Sequence, residues 1–269
     1  MSVLPIFFSA LRLAVRARYV SLVFFSVVFL VLSAALSAGF SGRQPEAVSL
    51  DVGLSVIRIM LPVAIVLLSQ ELIFREFERR YSLGVLSYPI SRICFFLGRF
   101  LAVFVLALFM LVVMAFMLKG VVYFAGEVYG RAGRVDMDFS YLLVMLFMVL
   151  EVLVLTSLAC FLGVAATTSG FILIGTFGFM LVARSYVSIV ELLSRDAGVV
   201  DNVDAYGAGL GLLVYLLPDL GSLDVRMIAL YGRMEFLPSD WLGLVVSCVG
   251  YILFLLSLAV WVIKRKRIF

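Results

Sequence analysis

The chain contains no histidine. Histidine is the side chain whose charge changes near neutral pH, and it is the commonest zinc ligand. Its absence removes histidine general bases, histidine-containing triads and that zinc chemistry together. Cysteine is scarce. Cys94, Cys160 and Cys248 stand far apart with no CxxC pair, and two of them lie inside apolar runs. There a thiol packs as a small apolar side chain. Lysine occurs only at positions 119, 264 and 266. None fits a Gly-Lys-Ser/Thr phosphate loop, so ATP hydrolysis by that route is expected in a different chain. Charge as a whole is low, at 14% of residues, where a soluble domain carries about 25%.

What fills the space is apolar: 65% of the 269 residues are hydrophobic. A soluble core of this length has too little interior to hide them. Lipid accounts for the excess, because apolar runs of about 20 residues become membrane-spanning helices. The net charge of +4 is segregated along the chain. That argues against a nucleic-acid groove, which gathers basic residues on one soluble face. The sequence predicts an all-α polytopic membrane protein, one domain over 1–269, with no repeat and no cofactor.

Six spans are predicted, at 20–40, 54–74, 95–118, 141–166, 170–193 and 242–263. The first apolar run is longer than the 7–15 residues of a signal-peptide core and reads as a retained helix. Residues 3–18 before it form an amphipathic pattern, with Ser9, Arg12 and Arg16 on one face, and suit a helix lying in the interface among lipid headgroups. Gly39, Ser41, Gly42 and Pro45 punctuate the first connection, and Gly126, Gly130 and Gly133 the third. Gly207 to Leu217 is apolar but too short to span, and fits a re-entrant piece. Trp241 and Trp261 fall at the two ends of the last span, as interface belts require. With both ends on the cytoplasmic side, twelve of the 21 basic residues lie inside and seven outside, the direction that the positive-inside rule demands.

Residues 70–100, QELIFREFERRYSLGVLSYPISRICFFLGRF, are the densest in charge. Glu71 precedes Arg75 and Glu76 precedes Arg80 by one helical turn, the favourable order for helix pairs. Gly84 breaks the pattern, and Pro89 ends any helix before it. Two readings fit: an ordinary positive-inside loop, or a compact cytoplasmic protrusion. The order Glu71, Arg75-Glu76, Glu78, Gly84-x-Leu86, Pro89-Ile90-Ser91-Arg92 and Leu97-Gly98-Arg99 resembles the permease subunits of type 2 ABC exporters. In that family the loop runs from an acidic–basic helix through a Gly-x-Leu step and a Pro-Val-Ser-Arg turn to Leu-Gly-Lys. Ile90 stands here for the valine and Arg99 for the lysine. The six-span plan, the amphipathic start and the Leu217-Pro218-Asp219-Leu220 turn are also similar. The resemblance implies a membrane subunit in a bacterial inner membrane, two such chains pairing as a homodimer or related heterodimer, and two ABC ATPase subunits docking beneath. It assigns ATPase coupling to Glu71, Arg75, Glu76, Glu78, Arg79, Arg80, Gly84, Pro89 and Arg92.

Arg58, Glu151, Arg184 and Glu191 interrupt the apolar runs. Charge within a span is costly and turns toward a bundle interior or cavity. Glu151 and Arg184 lie 15 and 14 residues from the inner ends of consecutive antiparallel spans, about 22 and 21 Å deep at 1.5 Å per residue. They are read as an ion pair joining the two spans, or as a polar contact on a substrate path. Arg58 and Glu191 are expected near the outer surface, where snorkelling accounts for them. Glu151, Ala159, Gly163 and Thr167 form a ridge for close helix packing, within the chain or against a second copy. A secondary transporter or channel is the alternative function, but it calls for intramembrane carboxylates or an interrupted-helix repeat, and only Glu151 is deep. A membrane enzyme finds no histidine or acidic cluster to use.

The topology is checked by cysteine-accessibility labelling. Single cysteines introduced near Arg131 and Asp201 are expected to react with an impermeant reagent added from outside; labelling only from the cytoplasmic side would overturn the assignment.

Overall fold

The computed structural model describes residues 3–42, 44–78, 91–129, 138–195 and 218–265. The described residues are helical, with no strand among them. Among the described residues nine α-helices follow in order: α1 Leu4–Arg16, α2 Tyr19–Phe40, α3 Pro45–Ser69, α4 Arg75–Glu78, α5 Arg92–Tyr129, α6 Phe139–Ala165, α7 Ser169–Arg195, α8 Arg226–Tyr231 and α9 Trp241–Arg265. A π-helical turn, Gln70–Phe74, joins α3 to α4. Among the described residues five helices are long and apolar enough to cross a membrane: α2, α3 with its π turn, α5 between Ile93 and Val128, α6 and α9. In α7 the apolar described stretch is Ser169–Ser185. The chain is a helical membrane protein.

α3 and α6 are the most enclosed helices, and α2 and α9 present much of their surface outward. Outward Phe24, Phe25, Phe116 and Leu253 are what lipid-facing positions require, since only the faces turned to other helices need complementary packing. One cluster joins Leu54, Ile57 and Leu61 of α3 to Met110, Met114 and Leu118 of α5 and Val152 and Leu155 of α6. A second, at the other end of the bundle, joins Ala10 and Ala14 of α1 to Ile73, Phe96, Cys160 and Ile263. Two phenols tie helices across the bundle. The Tyr19 hydroxyl donates to the Leu106 carbonyl at 2.6 Å and the Tyr141 hydroxyl to the Ala115 carbonyl at 2.8 Å, meeting the need of a buried phenol for a partner.

Some boundaries differ from expectation. The second long helix starts at Pro45 rather than 54. Proline suits the first helical position, where no N–H is needed, so Pro45 opens a helix instead of breaking a loop. Gly126 lies inside α5; it takes the place where the Glu46 side chain approaches so closely that a Cβ would collide with its carboxylate. The Gly207–Leu217 piece, Gly130 and Gly133 lie outside the described residues. The small-residue ridge is used within the chain: Ala159 and Gly163 are buried, while Thr167 is exposed.

A Cβ on Gly163 would sit 3.3 Å from Ile73 Cγ2 and 3.7 Å from the Ser69 carbonyl, so this glycine sets how closely α6 approaches the end of α3. Gly163→Ala is expected to cost under about 1 kcal/mol and Gly163→Leu about 1–3 kcal/mol or more by overpacking. Unfolding in detergent measures both, and equal stability of the leucine variant would contradict this packing.

Candidate functional site

A connected set of charges lies inside the bundle. Arg58 sits thirteen residues after Pro45, about 20 Å along α3. Its side chain is 7% exposed and ion-pairs with Asp224, while its Nε stands 3.8 Å from Glu151 Oε2. Its Nη2 also donates to the Leu223 carbonyl at 3.3 Å. Glu151, equally deep, accepts from Arg184 Nε at 3.1 Å and pairs with the same guanidinium through Nη2. Asp224 in turn meets Arg226 at 3.0 Å, and Arg226 reaches Asp51 and the Ser55 hydroxyl, each at 3.0 Å. Three carboxylates and three guanidiniums alternate from Asp51 at the rim through Arg226, Asp224, Arg58 and Glu151 to Arg184, and their formal charges cancel.

Local sequence explains the placement. Asp219 accepts from the Ser222 backbone N–H at 3.0 Å and from its hydroxyl, closing a tight turn after Pro218. Gly221 brings the backbone against the Arg184 carbonyl, where a Cβ would come within 2.8 Å. Leu220, Leu223, Val225 and Ile228 are buried and drag the intervening Asp224 inward. Pro62, one turn beyond Arg58 in α3, has no N–H to give the Arg58 carbonyl.

The expected Glu151–Arg184 pair is therefore present. The snorkelling account of Arg58 is corrected: the side chain is buried and turned into the bundle, because residues 218–231 pack into the bundle and bring Asp224 to it. Asp51, Asp224 and Arg226 were missed. Their signal was the alternation Leu223-Asp224-Val225-Arg226, with charge between residues apolar enough to be buried. The Glu191 side chain lies outside the described residues.

The coupling candidates gather at the opposite end. Glu71 pairs with Arg75 at 2.5 Å, one helical turn apart. The Gln70 amide donates to the Ser169 carbonyl at 2.9 Å, linking the π turn to the start of α7. Glu76 ion-pairs with Arg99 of α5, whose side chain is buried and whose guanidinium lies 5.3 Å from the centre of the Phe95 ring. Glu76 thus holds an internal tether to α5. Burial pushes the Glu76 carboxyl above the usual carboxylate range, with Arg99 opposing. In that window the folded chain holds more protons than the unfolded one, so this group's contribution to stability falls as pH rises through it. Arg79, Arg80, Gly84 and Pro89 lie outside the described residues, as do the side chains of Glu78 and Arg92. Among the described residues no three cysteine, aspartate or glutamate side chains gather to hold a metal ion.

No family model matches the chain, and no curated protein matches it.

The charge chain makes its members interdependent. Glu151→Gln strands Arg184, and breaking a buried pair from one side costs about 3–5 kcal/mol. Adding Arg184→Gln is expected to recover part of that loss, and Arg58→Met, which leaves Glu151 and Asp224 facing each other, to cost the most. Chemical unfolding of the single and double variants tests this; strictly additive losses would contradict the shared contact.

Proposed function

We propose that the chain is the membrane-spanning subunit of an ATP-driven exporter of the type 2 ABC kind, in the inner membrane of a bacterium. On this reading it has six spans, α7 joining the five long apolar helices as the fifth in order, and both termini are cytoplasmic. Two copies form the translocation path, and two separate ATPase subunits supply the energy. The supporting observation is the junction of α3, α4 and α5. The segment that resembles a coupling element is continuous with α3 through the π turn and tied to α5 by Glu76–Arg99. A push from below is delivered to two spans at once. α3 carries that lever at one end and Arg58 in its middle, so a tilt of α3 loads the contact with Asp224 and the segment 218–231. Arg184, a quarter exposed and paired with buried Glu151, is the member of the charge chain that we assign to contact with a passing substrate.

A carrier driven by an ion gradient is the second function weighed. It needs a carboxylate free to exchange partners, and Glu151 has an arginine on each oxygen.

Two sets of variants separate lever from docking surface in the ATPase complex. Charge reversal at Glu78 and Arg80 is expected to abolish transport-coupled stimulation of hydrolysis while insertion stays normal. Glu76→Arg alone is expected to uncouple as well, and Glu76→Arg with Arg99→Glu to restore a substantial part of the coupling. Unchanged assembly and stimulation in all of them would remove the support for this function.

A further inference from the structure

The elbow between α1 and α2 carries a feature that transport does not use. Arg18 has φ 67°, the one left-handed non-glycine residue among the described residues. An arginine there is uncommon, since glycine or asparagine adopts this backbone at less cost. Its guanidinium makes no ion pair among the described residues. The elbow turns it instead to the rim of a cavity of about 350 Å³ between the α1–α2 junction and the end of α3.

The cavity is two-faced. Leu22, Leu67 and Leu68 form an apolar wall, and Arg18, Ser21, Glu71 and Arg75 a polar one. Glu71 and Arg75 largely neutralise each other at 2.5 Å, which leaves the cavity with one net positive charge, that of Arg18. Tyr19 and Gln70 also line it, but their hydrogen-bonding groups are engaged with Leu106 and Ser169. It opens where an amphipathic helix meets the first apolar span, which is the depth of lipid headgroups. We infer that this cavity binds one anionic phospholipid, with its phosphodiester between Arg18 and Arg75 and an acyl chain along Leu22 and Leu67. A phosphodiester carries the single negative charge that the cavity lacks. A guanidinium suits phosphate oxygens through paired N–H donors, and the leucine wall suits a chain rather than water.

Native mass spectrometry of the full chain in neutral detergent, titrated with dioleoyl phosphatidylglycerol, tests the site. The first lipid is expected to bind at least about tenfold more tightly than dioleoyl phosphatidylcholine. Arg18→Asn, which suits the left-handed backbone, and Arg75→Gln, on a separate helix, are each expected to abolish that preference. Arg16→Gln removes the same charge from an exposed position outside the cavity and is expected to keep it. Glycerol 1-phosphate at equal concentration is expected not to displace the lipid. Equal affinity for the two lipids, equal loss in Arg16→Gln, or displacement by glycerol 1-phosphate would each overturn the lipid site. Retention of the preference in either Arg18→Asn or Arg75→Gln would overturn the two-arginine arrangement.

Discussion

An arginine in the middle of an apolar helix has to be answered by negative charge, and Arg58 sets that requirement for this bundle. Lipid supplies no counter-charge, so protein must come to it. Glu151 arrives from α6 and Asp224 from the segment after Pro218. Each of those carboxylates exceeds what one arginine needs and calls in another, Arg184 and Arg226. The chain of charges ends at Asp51, whose side chain is 48% exposed and can be completed by water. The position of α7 and the depth reached by residues 218–231 both follow from this demand. A bundle held by apolar contact alone could slide, because lipid tails are as apolar as leucine. Alternating charges fix the register.

The two ends of α3 differ in kind. Its first half is set by the charge chain, and its C-terminal end by backbone geometry. The π turn, Gln70–Phe74, widens the helix with i→i+5 hydrogen bonding, and such turns are frequent at functional sites. Gln70 spends its amide on Ser169 at this point, and Glu76 reaches Arg99 just beyond it. The C-terminal end is therefore braced against α5 and α7, while the middle is braced against α6 and the 218–231 segment.

Much of this was legible in the sequence. Long apolar runs located the helices, and counting 1.5 Å per residue put Glu151 and Arg184 at one height. The Glu71–Arg75 pair followed from helical spacing. Arg58 was misread because its answering carboxylate sits more than 160 residues away, as the separation of 165 residues between Arg58 and its carbonyl partner Leu223 reflects. No local window carries that information. The Glu76–Arg99 contact was not anticipated for a similar reason: the two residues lie 23 positions apart on different helices. Pro45 and Gly126 were read as breaks because both residues usually are. What reversed each was position, the first turn of a helix for the proline and a close approach by Glu46 for the glycine.

The order of residues along the chain has a consequence for biosynthesis. Arg58 leaves the ribosome well before Glu151, and Asp224 comes later still. When α3 meets the translocon, neither carboxylate exists. A central arginine costs about 2.5–3.5 kcal/mol to insert, while each leucine or isoleucine returns about 0.3–0.6. The remaining residues of α3, with a mean hydropathy of 2.3 over its most apolar window, must carry that load unaided. α3 consequently waits in the bilayer with an unanswered guanidinium until α6 is threaded, and the last third of the chain completes what the first third left open.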